Sequence, residues 1–441
     1  MAARAEATVA DRQAVRDMGT ACRQPSGEER SPDFLECFLT SRFVIATLLF
    51  CMVCGLLATF HLGQMPVSQF PERTWASWAI EDFQKLPRPQ VVFLGSSLVL
   101  VPLAGVDANF LNQKLDGSQH HRSVYFEQNF SKALGHDVHS FNFALPGEMP
   151  SDAYLITDFL LEGGKKPDLL VYGLGPRDFM DNVLPSPAAT DPFRSLSRLG
   201  DISSMLERMM PDWIDRLNYQ MARIFYLYGK REDLSQEFAT FAQKKLNRVL
   251  PVPPGSSPYT VAMRRQLLPF YRPSELNASE AFFRPSAGEK FADNLAEYRK
   301  RYATVKWDTF TTQMRFFAEL LDVAKEREIK VVIVSMPITD LNRSLIKDYA
   351  WDAYRHSVHV LATLKGATFV DLQGSGKFRT ADFMDTVHLH AGGGQKMLDE
   401  LIASLSNNPS VRAAVLDSPM AKKGEAPVSE ASVNAVEKQA L

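Results

Sequence analysis

The sequence predicts an α/β protein: a doubly wound sheet of five parallel strands, with a helical insertion and one N-terminal transmembrane helix. Three observations carry this. Five short apolar runs alternate with helix-like patterns, as in sheets buried on both faces. A long interval, Asp181 to Lys306, breaks that alternation. One stretch, Phe43 to Phe60, is apolar and free of charge.

The chain has 441 residues, 45% hydrophobic and 23% charged, enough apolar mass for one large domain or two smaller ones. Formal net charge is −2, so no basic excess points to nucleic acid and no acidic excess to a cationic partner. All four cysteines, Cys22, Cys37, Cys51 and Cys54, precede the α/β pattern. Cys51 and Cys54 have C-x-x-C spacing, but they sit in an apolar run without a nearby His or second pair. They read as small apolar residues.

Residues 1–42 form a polar leader of mixed charge, expected to be disordered and cytoplasmic. Residues 43–62 are the expected transmembrane helix. At about 1.5 Å per residue the uncharged run nearly covers a hydrocarbon core of about 30 Å. Arg23, Arg30 and Arg42 precede it, whereas Arg73 is alone in the roughly fifteen residues that follow. That bias keeps the N-terminus inside and sends the remainder outside the cytoplasm.

Residues 63–88 read as a connector. The strands are Val91–Leu94, Val138–Phe143, Leu169–Tyr172, Val331–Ser335 and Ala367–Asp371. Leu155–Glu162, Thr311–Arg327 and Lys396–Leu405 show helical spacing. The sheet domain thus falls into two parts, 89–182 and 307–406. The insertion, 183–306, is expected to be mostly helical, with stretches at Trp213–Tyr228 and Glu237–Asn247 and a proline-rich break at Leu250–Pro258. The tail, 407–441, is expected to be disordered.

Chemistry collects at the carboxyl ends of the strands in such a sheet. The first strand runs into Gly95-Ser96-Ser97. Gly95 permits a sharp bend, and Ser97 falls where a helix begins, so its hydroxyl is exposed beside backbone N–H groups. A helix N-cap serine has the same look. After the fifth strand come Asp385-Thr386-Val387-His388. An Asp three residues before a His meets the imidazole from one turn, fixes its tautomer and stabilises the imidazolium. A serine needs such a base to become a nucleophile. Asn142–Gly147 and Tyr172–Asp178 are Gly-containing turns after the second and third strands. Each can present N–H groups to an oxyanion, or can be a tight loop.

With these four elements in place, the chain resembles the SGNH, or GDSL-like, hydrolase superfamily over roughly Pro89–Asn182 and Ile329–Ser406. That superfamily carries Gly-Asp-Ser after its first strand, a Gly after the second, Gly-x-Asn-Asp after the third, and Asp-x-x-His near the C-terminus. The resemblance implies a flavodoxin-like sheet, with Ser97 as nucleophile and His388 and Asp385 completing a triad. It implies that Gly147 serves the oxyanion hole. Ser96 stands where the usual Asp would be, like the Gly-Ser-Ser variant of membrane-tethered relatives. Arg177 stands where the oxyanion Asn would be, in Gly175-Pro176-Arg177-Asp178. Arg177 is therefore a candidate for oxyanion or substrate binding.

The expectation is a membrane-anchored acyl-ester hydrolase or O-acyltransferase acting on an envelope glycan or polymer. A membrane-bound O-acyltransferase is a partner implied by resemblance alone. The alternative is a catalytically inactive scaffold or glycan-binding component, for which the Arg177 departure speaks. A third reading, a metal hydrolase, uses His388, His390, Asp382 and Asp385. Because Asp-x-x-His already has the simpler role, neither metal nor cofactor is expected.

Overall fold

The computed structural model describes residues 41–60, 74–231, 282–285 and 291–417, with single positions between 234 and 245. The chain divides into two compact units, Met1–Leu62 and Gly63–Leu441. In the first, the described element is helix α1, Arg42–Phe60. Phe43, Leu48, Leu49, Met52 and Leu56 are exposed along it. Among the described residues no helix is long and apolar enough to cross a membrane. The part of the expected 43–62 span that is described falls on this helix of 19 residues. Its uncharged part rises only about 27 Å, just short of a core of about 30 Å. Residues 61 and 62 and the leader to position 40 lie outside the described residues.

The second unit holds a five-stranded sheet, all parallel. Its strands are β1 (Val91–Gly95), β3 (Ser140–Asn142), β4 (Leu169–Leu174), β6 (Lys330–Ser335) and β7 (Thr368–Asp371). The order is β3-β1-β4-β6-β7, so the chain reverses direction of growth next to β1. That is the position at which an open α/β sheet leaves a crevice outside its carboxyl edge. β1 and β4 are buried at every position, which explains their unbroken apolar sequences.

Helices cover both faces. On one, α3 (Ser97–Phe110) and α4 (Val124–Leu134) pack against α11 (Ala391–Ser406). On the other, α5 (Pro150–Leu160) lies along α9 (Trp307–Glu326), which also meets α10 (Asp348–Leu364). α9 buries Phe316, Phe317, Leu320 and Ala324, and its Gln313 accepts from the Ser151 N–H at 2.9 Å. α3 is buried nearly all round, so it lacks the stripe by which surface helices announce themselves.

The connector contains α2, Trp75–Lys85, capped by Thr74. The insertion is anchored to the body rather than free of it: Phe193 and Leu196 of α6 (Asp191–Leu196), then Ile202, Met205 and Met209, are all buried in the core. It carries α7 (Trp213–Ile224) and α8 (Leu295–Arg301). It is not wholly helical, because β5 (Phe282–Phe283) pairs antiparallel with β2 (Leu115–Asp116). The proline-rich break and most of Glu237–Asn247 lie outside the described residues. The tail also departs from expectation. α12, Pro409–Leu416, starts with Asn408 capping Ser410 and Val411, and buries Val411 and Val415 completely.

Candidate active site

Ser97 is brought into position by the end of β1. Gly95 has φ +141°, a region L side chains rarely adopt, and a Cβ there would stand 2.6 Å from the Gly173 carbonyl oxygen. The chain therefore turns sharply into α3, with Ser96 as the extended N-cap and Ser97 as the first helical residue. As first-turn groups, the N–H groups around Ser97 have no carbonyl partner within α3. They carry the positive end of the helix dipole.

His388 and Asp385 arrive from the loop between β7 and α11. His388 Nε2 lies 2.8 Å from Ser97 Oγ, and His388 Nδ1 lies 2.6 Å from Asp385 Oδ2. A carboxylate only accepts, so Nδ1 carries the proton toward Asp385 and Nε2 is left to accept from the serine hydroxyl. Asp385 Oδ1 also accepts from the backbone N–H groups of Val387 and His388, at 2.8 and 2.7 Å. Burial works to raise the Asp385 pKa, but these bonds outweigh it and hold the carboxyl below the usual aspartate range. The structure thus joins the three residues in one hydrogen-bonded line.

Gly147 and Arg177 border the same cleft as Ser97 and His388, a space of about 160 Å³. Gly147 has φ +78°, and a Cβ there would lie 3.5 Å from Arg177 Nη2. The guanidinium therefore lies against the glycine. Its Nε donates to Asp181 Oδ2 at 2.9 Å, and its Nη1 stands 3.7 Å from the buried Asp178 Oδ1. Asp181 is fully buried and also receives Arg301 of α8. Ser96 lines the cleft and is buried.

His390 and Asp382 turn elsewhere. His390 caps α11, with Nδ1 accepting from the Gly393 N–H at 3.2 Å. Asp382 pairs with Lys396 at 3.0 Å. Among the described residues no group of His, Cys, Asp and Glu is placed to hold a metal ion.

Two features were not legible beforehand. Asn294 of the insertion borders the cleft. Its Oδ1 accepts from both the N–H and the hydroxyl of Thr386, which fixes the amide orientation and leaves Nδ2 as a donor. Thr386 is itself held by Asn342 Nδ2 at 3.0 Å, so the insertion braces the loop that carries Asp385 and His388. Beneath the site lie buried acids. Glu148 accepts from Gly95 N and Leu145 N, and burial, then Asp152, raises its pKa well above the usual range. Asp178, which accepts from Gly175 N at 2.8 Å, is pushed up to about 6 by burial.

Residues 119–405 match DUF1574, described as a protein of unknown function. The chain belongs to the DUF1574 family. The matched region contains Gly147, Arg177, Asn294, Asp385 and His388, and begins after Ser97. No curated protein matches this DUF1574 member. A similar solved structure is that of a "putative acylhydrolase" from Bacteroides fragilis NCTC 9343. It is 13% identical, covers 77% of this chain and all of its own, and has a TM-score of 0.31. At that level the superposition is too loose to align individual residues.

Proposed function

We propose that this DUF1574 protein is a serine acyl-ester enzyme, an esterase or O-acyltransferase acting on an envelope glycan or polymer. The observation that supports it is the line Ser97 Oγ, His388 Nε2, His388 Nδ1, Asp385 Oδ2 at the mouth of a cleft. In this reading Ser97 Oγ attacks the acyl carbonyl carbon while its proton passes to His388 Nε2. The tetrahedral oxyanion is met by the N–H groups of Ser97 and Gly147 and by Arg177. Collapse expels the alcohol, which takes the proton back from His388, and leaves an acyl group on Ser97. Water, or a sugar hydroxyl, then attacks that acyl group and gives its proton to His388. Ser97 departs and recovers it.

Asn294, Glu297, Tyr298 and Arg301 make one wall of the cleft polar, which suits a hydroxylated acceptor better than a long alkyl chain. The uncharged run Phe43–Phe60, with Arg23, Arg30 and Arg42 before it, supports an anchored protein with its α/β domain outside the cytoplasm, within reach of a membrane-bound O-acyltransferase that supplies the acyl group. A fluorophosphonate probe tests the first step. Wild type is expected to label and Ser97→Ala to remain unlabelled; equal labelling of both overturns the assignment. The guanidinium lying on Gly147 favours a second reading, a glycan-binding component without turnover. Normal cellular function of His388→Ala, with glycan binding retained, supports that one instead.

A further inference from the structure

Helix α7, Trp213–Ile224, has its two faces reversed. Trp213, Leu217, Met221 and Ile224 share one face by their spacing, with Ile214 at its edge. On a surface helix this stripe belongs in the core. Here Trp213 is 64% exposed, Ile224 67%, Leu217 50% and Ile214 49%, and none of the helix's residues is buried. The opposite face, Arg216, Tyr219 and Arg223, is the one turned to the body. Arg223 Nη1 bonds to Asp201 Oδ1, Arg216 Nη1 donates to the carbonyls of Met210 and Pro211, and Tyr219 packs on the core. The polar side is tethered by specific bonds and the apolar side is held out to the surroundings. A helix of 12 residues is only marginally stable alone, so this presentation calls for a covering partner.

We propose that α7 is an interfacial helix that seats its Trp213–Leu217–Ile224 face in the headgroup region of a bilayer. This rests on the membrane-anchored part of the proposed function. Three observations favour lipid over another protein. An apolar stripe ending in a Trp, with Arg216 and Arg223 on the opposite, polar face and Lys230 and Arg231 just beyond, is the composition of helices that lie in a membrane surface. The connector between α1 and the folded domain is short: residues 61–73 can extend at most about 45 Å. The point where that connector enters the domain is next to the base of the insertion, because Thr74 Oγ1 lies 3.1 Å from Ser195 Oγ in α6. Asp201, which holds Arg223, follows α6 by a few residues. The anchor's attachment and the reversed helix therefore share one region of the domain. The bilayer is thus the apolar phase that a tethered domain meets first.

The full chain, reconstituted into vesicles of phosphatidylcholine and phosphatidylglycerol with brominated acyl chains, tests this by tryptophan quenching. The chain has five tryptophans, so Trp213→Phe isolates the contribution of the helix. The expected result is a quenched, blue-shifted component in wild type that is absent from Trp213→Phe. In Leu217→Glu/Ile224→Glu, which alters no residue of the cleft, Trp213 is expected to be unquenched. A Trp213 emission untouched by brominated lipid overturns the proposal. So does a component that becomes buried only as protein concentration rises without lipid, which assigns the face to a second copy. Alkaline extraction of the same vesicles separates the two readings. Protein that resists extraction with Trp213 unquenched keeps the anchor and loses the interfacial helix. Protein that is extracted but shows Trp213 quenching keeps the helix and loses the anchor.

Discussion

Arg177 lies with its guanidinium against Gly147, Nη2 standing 3.5 Å from where a Cβ on that glycine would be. A fixed cation thus borders the space in which Ser97 and His388 meet. If it stabilises the developing oxyanion, Arg177→Leu is expected to lower kcat by about 10²–10³ with little change in KM, the usual cost of one oxyanion donor. Steady-state kinetics on a small activated ester measures the split. A rise in KM alone assigns Arg177 to substrate binding, and unchanged kinetics remove it from the reaction. The change also strands half of the pairing of the buried Asp181, so a lower melting temperature is expected alongside.

Asn294 separates bracing from donation. Asn294→Asp keeps an acceptor for Thr386 but has no amide N–H. Both Asn294→Asp and Asn294→Ala are expected to lose about tenfold or more in kcat/KM, the scale of a lost hydrogen bond to a charged group. An Asp variant close to wild type, with Ala impaired, shows instead that Asn294 only holds the loop.

Asp178 gives a pH prediction. Its folded pKa, about 6, lies above its ordinary value, so the native state holds the proton more tightly than the unfolded chain. That contribution to stability is full below about 4, the ordinary aspartate pKa, and is lost as pH rises through about 6. Asp178 Oδ1 has no hydrogen-bond partner and stands 3.7 Å from Arg177 Nη1, so an asparagine there removes the buried charge and gives up only that long ion pair. Asp178→Asn is expected to be more stable than wild type at pH 8, by an amount on the order of 3 kcal/mol at most, and to converge with it near pH 4. Denaturant titrations at the two pH values measure this. A gap that does not narrow toward acid contradicts it.

Truncation tests the C-terminal helix. A chain ending at Asp417 is expected to melt like wild type, whereas one ending at Ser406 loses α12. Val411 and Val415 are fully buried, and each contributes roughly 1.5–3 kcal/mol by leaving water. Equal melting temperatures mean that α12 adds nothing.

The sheet was legible because strands buried on both faces, such as β1 and β4, read as short unbroken apolar runs, and all five runs became its strands. α3 and α12 were harder to read for opposite reasons. α3 is apolar all round and so shows no period, while α12 has only two buried positions in an otherwise small and polar segment. At the site, Ser97, Asp385 and His388 were readable because their residue types and their places at strand ends both point to chemistry. Asn294 was not, because its place depends on a bond to Thr386, 92 positions away, which no local pattern encodes. Glu148 and Asp178 look like ordinary loop acids until the fold buries them.

The most direct measurement is where an acyl group rests during turnover. The protein, mixed with p-nitrophenyl acetate and quenched in acid within the first turnover, is digested and its peptides weighed. One acetyl group is expected on the peptide containing Ser97, absent from Ser97→Ala and greatly reduced in His388→Ala. Release of p-nitrophenol with Ser97 unmodified, or undiminished in Ser97→Ala, contradicts it.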